Sequence, residues 1–113
     1  MKITRAPAPR DLAIARDFNR RFVTYCDRAG FDVLLFGSRA RGDADEESDI
    51  DLFVALEQED VDGRLSAAAL QIACDLTLEY EVLVSVFVAD RSFLDRHKGY
   101  SFIDTVQREG IPV

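Results

Sequence analysis

The stretch Phe36-Gly37-Ser38-Arg39-Ala40-Arg41-Gly42, with Ser48-Asp49-Ile50-Asp51-Leu52 beginning ten residues after Ser38, decides how this chain folds. It reads as a strand, a phosphate-type loop and a second strand that carries paired carboxylates. Asp49 and Asp51 lie two apart at the head of the β-forming run from Ile50 to Ala55, and side chains at i and i+2 of a strand project from one face. The two carboxylates therefore converge. Carboxylate oxygens are the hard ligands that Mg²⁺ prefers, and Mg²⁺ commonly sits on one or two carboxylates while substrate phosphates complete its shell. On the loop side, Gly37 lets the backbone pass close to an anion and the Ser38 hydroxyl can donate to it. The N-terminus of a following helix adds unpaired N–H groups. Each motif alone has a plain structural reading, a turn for Gly-Ser and a solvated strand end for Asp-x-Asp. Joined at this spacing behind a buried strand, they point to metal-dependent nucleotide chemistry.

Outward from this segment, the chain alternates helical and extended patterns. Val33, Leu34, Leu35 and Phe36 form a nearly continuous apolar run, which suits a strand over 31–36 covered on both faces. Before it, Leu12, Ala15, Phe18, Phe22, Tyr25 and Cys26 recur at three- and four-residue intervals, predicting an amphipathic helix that Gly30 stops. Residues 1–9 read as an extended lead-in whose Pro7 and Pro9 precede or open that helix. After a strand over 49–56 and a charged connection over 57–63, Leu65, Ala68, Ala69, Ile72, Ala73 and Leu76 mark a second helix with small residues for close packing on a sheet. The third strand, over 82–88, sets Val82, Val84, Val86 and Val88 on one face against Leu83, Ser85 and Phe87 on the other. A short helix over 90–96 and a final one opened by Ser101 and Asp104, then closed by Gly110 and Pro112, complete the chain. The order helix, strand, strand, helix, strand, helix describes an α+β unit, one domain over 1–113.

Composition narrows the function classes. With 113 residues, 48% of them hydrophobic, the chain suits one core. A net charge of −7 argues against a sequence-independent grip on nucleic acid, which needs lysines and arginines along a face. Asp43, Asp45, Glu46 and Glu47 read as a solvated loop. Cys26 and Cys74 lack Cys-x-x-Cys spacing and have no histidine cluster near them, so they read as reduced core thiols rather than zinc ligands. The N-terminal residues lack the apolar block of a signal peptide, and the apolar stretch over 82–89 is too short to span a membrane. A cytoplasmic protein without membrane contact is expected.

Gly37-Ser38, ten intervening residues and Asp49-Ile50-Asp51 resemble the signature of the polymerase-β-like nucleotidyltransferases, specifically the minimal nucleotidyltransferase group. The likeness is densest from Phe31 to Val54. The later helix and strand agree in length, and Arg108-Glu109-Gly110-Ile111 resembles the close of many such domains. The resemblance implies an α+β fold with a mixed sheet flanked by helices. It implies a Gly37-Ser38 loop holding the triphosphate of ATP, and catalytic Asp49 and Asp51 as ligands of two Mg²⁺ ions that drive nucleotidyl transfer. Arg39 or Arg41 is placed to neutralise charge on the β- and γ-phosphates, and equally placed to form an internal ion pair with the neighbouring acids. Arg39 is the candidate nucleotide-binding residue of the two. His97, in a polar connection with Lys98 and Tyr100, is assigned no role.

One position departs from the family pattern. A third carboxylate is usual near the start of the third strand, and the best-matching residue here is Ser85, a poor metal ligand. Glu81 shares its strand parity, but four residues of about 3.3 Å each leave it roughly 13 Å away, and Asp90 falls past the expected strand end. Minimal members of the group resemble the small partner in two-gene systems with a helical HEPN-type protein, and some act as antitoxins by adenylylating that partner. The resemblance thus implies Mg²⁺-dependent transfer of AMP from ATP to a hydroxyl of a HEPN-type partner protein. The alternative is a degenerate module of the same fold that neutralises or scaffolds a helical partner by contact alone.

Overall fold

The computed structural model describes residues 6–26 and 30–113; the first five residues of the expected lead-in lie outside them. Pro9 opens α1 (Pro9–Phe22) at its first position, where the missing N–H would have no helical partner in any case. Ile14, Ala15, Phe18 and Phe22 bury the apolar stripe of this helix. The stripe was expected to run on to Tyr25 and Cys26, but the helix ends at Phe22 and tightens into a 3₁₀ turn over Val23–Tyr25. Cys26 is buried after the turn, whereas Tyr25 is exposed.

β1 (Phe31–Phe36) runs directly into a short helix, α2 (Gly37–Arg41), and after the acidic loop comes β2 (Ile50–Leu56). α3 (Arg64–Tyr80) returns the chain to β3 (Val84–Asp90). α4 (Arg91–Arg96), α5 (Ser101–Glu109) and a two-residue β4 (Ile111–Pro112) follow. The sheet order is β3-β2-β1-β4. β2 and β3 are parallel, with α3 as the crossover, and the other pairs are antiparallel, so the sheet is mixed. β4 was not expected: residues 110–112 read as a helix stop. They instead lay Ile111 and Pro112 against Leu35 and Leu34, an edge position where proline's missing N–H costs no ladder bond.

The sheet divides the apolar residues between its two faces. On one, Val33, Leu35, Ile50, Leu52, Val54, Leu56 and Val84 meet α1 and α3, which contribute Ile14, Phe18, Phe22, Ala69, Ile72 and Leu76. Each fully buried Phe or Leu here contributes roughly 1.5–3 kcal/mol. Asp17, buried on α1, accepts hydrogen bonds from Arg20, Arg21 and the Tyr80 hydroxyl, tying α1 to the end of α3. Burial alone would raise its pKa, but the Tyr80 and Arg21 hydrogen bonds outweigh that and hold it below the ordinary carboxylate range. On the other face, Phe53 and Ala89 meet Ile103 and Val106 of α5, with Leu34, Phe36, Ala55, Phe93 and Leu94 around them. Asp51 and Ser85, near the starts of β2 and β3, are only partly buried.

Cys74 lies on the exposed side of α3, so it is not a core thiol. Asp90 is the last residue of β3 rather than a residue beyond it. Its carboxylate accepts the Phe93 N–H at 2.7 Å as the cap of α4.

Candidate active site

The part of the second face around Asp51 is built by three adjacent strands. Antiparallel pairing sets Phe36 of β1 opposite Asp51 of β2, and parallel pairing sets Ser85 of β3 beside Asp51 on the other flank. Asp51 alternates with core residues Ile50 and Leu52 and shares its parity with Phe53, so its side chain emerges on the second face. Asp49 stands immediately before β2, held there by the Ile50 N–H, which donates to Leu83 O at 2.9 Å. The two carboxylates are close enough that the charge of Asp49 acts on Asp51. Partial burial, then that charge, push the Asp51 pKa above its ordinary value. Neither carboxylate is in a hydrogen bond or an ion pair with another described residue.

Gly37 turns from β1 into α2 with φ +78°, a left-handed conformation that L side chains adopt at a cost of about 1–2 kcal/mol. It also lies against Asp51: a Cβ on Gly37 would come 2.6 Å from Asp51 Oδ2. The Gly-Ser loop and the carboxylate strand, ten residues apart in sequence, are thus in contact through a position that only glycine fills. Ser38 follows as the second residue of α2, half-buried, with its backbone carbonyl accepting the N–H groups of Gly42 and Asp43.

Of the two roles open to Arg39 from the sequence, the structure contains the internal ion pair. Its guanidinium donates to Asp11 Oδ1 at 3.1 Å and to Ser48 O at 2.6 and 3.1 Å, and the two side chains are 11% and 5% exposed. Arg39 therefore pins the residue before Asp49. Arg41 is exposed and paired with Asp43 and Glu109. The loop from Asp43 to Glu47 is solvent-exposed, as expected, and is closed by Ser48 Oγ donating to Asp45 Oδ1 at 3.1 Å. His97 caps the C-terminus of α4 and stacks on Phe93 at 4.0 Å.

Ser85 occupies the expected third-ligand position in register with Asp51, and the parallel ladder confirms that Asp90 cannot replace it. Asp90 pairs with Leu56, at the opposite end of β2 from Asp51. Among the described residues no group of three or more His, Cys, Asp or Glu side chains converges. Sequence reasoning missed Asp11, the buried anchor of Arg39. It also missed the aromatic floor beside the carboxylates: Phe53 stacks on Phe87 at 5.5 Å, and Phe102 meets Phe36 and Phe87 at 5.8 and 5.2 Å. The two-residue spacing that puts Phe53 on the face of Asp51 and Phe87 on the face of Ser85 was the available signal for the floor. Phe102 came from a helix whose docking no local pattern specified.

Residues 14–106 match the family described as Nucleotidyltransferase domain, an interval that contains the loop, both aspartates and Ser85. The chain belongs to the nucleotidyltransferase domain family. It is similar to two proteins of Methanocaldococcus jannaschii, each bearing the name “putative protein adenylyltransferase”. One is 32% identical over 102 residues, covering 90% of this chain and 97% of the relative. The other is 35% identical over 78 residues, covering 69% and 72%. A solved structure titled “Structure of putative minimal nucleotidyltransferase” superposes with a TM-score of 0.53 at 32% identity, covering 91% of this chain and 96% of that one. The four-stranded mixed sheet flanked by helices is accordingly a nucleotidyltransferase fold, and the chain is a nucleotidyltransferase. No helix among the described residues is long and apolar enough to cross a membrane.

Proposed function

We propose that this nucleotidyltransferase transfers AMP from ATP, in a Mg²⁺-dependent reaction, to a hydroxyl of a partner protein. The observation that carries the reading is the pair Asp49 and Asp51, two unpartnered carboxylates at the start of β2, one of them against the Gly37 backbone. Their donor set suits a divalent cation: hard oxygens, like charges with no protein countercharge, and coordination positions left for phosphate oxygens. Asp49 and Asp51 would hold Mg²⁺, which when bound lowers the pKa of an acceptor hydroxyl and neutralises charge on the departing pyrophosphate. The remaining work falls to the chain itself. Gly37 keeps the loop close to Asp51, Ser38 donates its hydroxyl to a phosphate oxygen, and Arg39 fixes Ser48 so that Asp49 enters β2 in register. In the transfer step the acceptor oxygen bonds to the α-phosphorus and the bond to the bridging α,β-oxygen breaks. Pyrophosphate leaves and the hydroxyl proton is released to solvent.

The names of the two archaeal relatives support AMP as the group and a protein as the acceptor. The resemblance to minimal nucleotidyltransferases supports a helical HEPN-type partner, in an antitoxin role, in the cytoplasm. The test is transfer of label to a co-purified helical partner from ATP labelled at the α-phosphate. Label is expected with wild type plus Mg²⁺ and lost in Asp49→Asn/Asp51→Asn; label that persists in the variant overturns the assignment. A second reading rests on Ser85 standing where a third carboxylate is usual, beside Asp51: a module that neutralises its partner by contact alone. It predicts partner binding indifferent to Asp49 and Asp51, with no label transferred by wild type.

A further inference from the structure

β3 is an edge strand, and its outer side has no partner strand among the described residues. The bond from Ile50 N–H to Leu83 O fixes which β3 residues face β2. In a parallel ladder the odd residues Leu83, Ser85 and Phe87 then bond inward, and Val84, Val86 and Val88 turn their N–H and C=O groups to the free edge. The Val84 N–H is taken by Thr77 Oγ1 at 3.0 Å. Among the described residues no side chain hydrogen-bonds the corresponding groups of Val86 or Val88. An exposed row of this kind is a template for an added strand.

Alongside the edge runs an apolar groove of about 530 Å³ between α3 and β3, lined by Leu70, Cys74, Leu78, Leu83, Ser85 and Val86 among others. Leu70, Leu78 and Leu83 are 61%, 80% and 53% exposed. No lysine or arginine lines it, while Asp75 follows Cys74, Glu79 follows Leu78 and Glu81 lies two residues before Leu83 in sequence. The residues that flank its lining in sequence thus add acidic groups and no basic ones.

The position of the groove relative to the carboxylates gives it a role. In the order β3-β2-β1, Gly37 lies on the β1 side of Asp51 and Ser85 on the β3 side. In an in-line displacement the attacking and leaving oxygens lie on opposite sides of the phosphorus. With the pyrophosphate at the Gly37-Ser38 loop, the attacking hydroxyl arrives over β3. A strand added to β3 would lie about 4.8 Å outside it, next to Ser85, whose small side chain leaves the way to Asp51 open.

We infer, resting on the transfer reaction proposed above, that the acceptor protein docks through an extended segment added antiparallel or parallel to β3. That segment is apolar on alternate residues and basic at its flanks, and its hydroxyl reaches Asp51 across Ser85. Backbone pairing supplies affinity and the groove takes the alternate side chains. A second copy of this chain is the poorer occupant, because it brings the same acidic residues and a net charge of −7 to the contact.

The test is selection of short random peptides on the full-length protein, followed by affinity measurement against wild type, Leu78→Glu and Leu70→Glu. Both leucines are exposed, so neither change should disturb folding, and ATP–Mg²⁺ binding measured in parallel is expected to stay at the wild-type value. The expected peptides alternate apolar residues between lysines or arginines, and lose about tenfold or more in affinity for either variant or when N-methylated on the paired edge. Selected peptides without that period, or binding the variants and the N-methylated forms equally, overturn the inference. So does a wild-type dimer that Leu78→Glu dissociates, which would give the edge to a second copy. Peptides that dock as expected but receive no label from ATP would sustain the docking surface and sink the transfer reading. Label transfer to the partner that ignores both leucine variants would do the reverse.

Discussion

Gly37 and Asp51 are in contact across the candidate site, with no room between them for a single methyl group: a Cβ on Gly37 would lie 2.6 Å from Asp51 Oδ2. Gly37→Ala therefore meets two obstacles, the φ of +78° and the carboxylate itself. The substitution is expected to lower stability by about 1–2 kcal/mol and to displace Asp51, abolishing ATP–Mg²⁺ binding by calorimetry. Ser38→Ala, which removes only a hydroxyl, should weaken ATP binding with no shift in melting temperature. A Gly37→Ala protein that binds ATP–Mg²⁺ like wild type would refute the contact.

A neutral residue in place of Asp51 is expected to make the protein more stable. Burial and the Asp49 charge raise its pKa in the folded state, so the folded protein holds this proton to higher pH than the unfolded chain. Stability from this group is then lost as pH rises through the folded pKa and is not regained above it. Without Mg²⁺, Asp51→Asn should raise stability at neutral pH by on the order of 1 kcal/mol. The gain should shrink to nothing near pH 4, about the unfolded pKa of an aspartate. Thermal melts across that range read it directly. An Asn variant no more stable than wild type at neutral pH would contradict the assignment of Asp51 as a strained, cation-seeking carboxylate.

The ion pair between Arg39 and Asp11 is buried, so its two ends are unequal to remove. Arg39→Ala leaves the buried Asp11 carboxylate without its partner, at a cost of about 3–5 kcal/mol, and also frees Ser48 ahead of Asp49. Replacing both, as Arg39→Met with Asp11→Leu, should recover much of that stability while leaving ATP–Mg²⁺ binding impaired. Denaturant titration and calorimetry on the three variants separate the cases. Were Arg39 only a phosphate ligand, Arg39→Ala would change ATP affinity and leave the melting temperature untouched.

The parts of this architecture that were legible in the sequence are those fixed by short-range pattern. β1 and β2 follow from apolar runs, α3 from its alanine-rich stripe, and the Ser85 position from valine alternation in β3. The turn at Gly37 was legible because its chemistry is local. What escaped depends on distant partners. β4 is two residues long and exists only because β1 offers an edge, so nothing in Gly110-Ile111-Pro112 itself specifies a strand. Arg39 pairs with Asp11, 28 residues earlier, and no local pattern singles out that acid among the nearer ones. Cys74 sits one residue after the buried Ala73, and only the packing of α3 shows that it faces outward.

Ser85 stands beside Asp51 in the parallel ladder, and the two readings of that pairing separate on substitution. If the serine is a vacant ligand position, Ser85→Asp places a third carboxylate on the face that already holds Asp49 and Asp51. Like charges then oppose one another, so the variant should melt below wild type without metal. It should also regain more stability than wild type as Mg²⁺ is added, with an apparent affinity higher by about tenfold, or about 1.4 kcal/mol. Ser85→Ala should leave the Mg²⁺ response unchanged, because a serine hydroxyl competes poorly for a hard cation. Melting curves over a Mg²⁺ series on the three proteins decide it. Equal Mg²⁺ responses in wild type and Ser85→Asp would place residue 85 outside the cation site despite its register. The path over β3 would then remain as the reason for a small residue there.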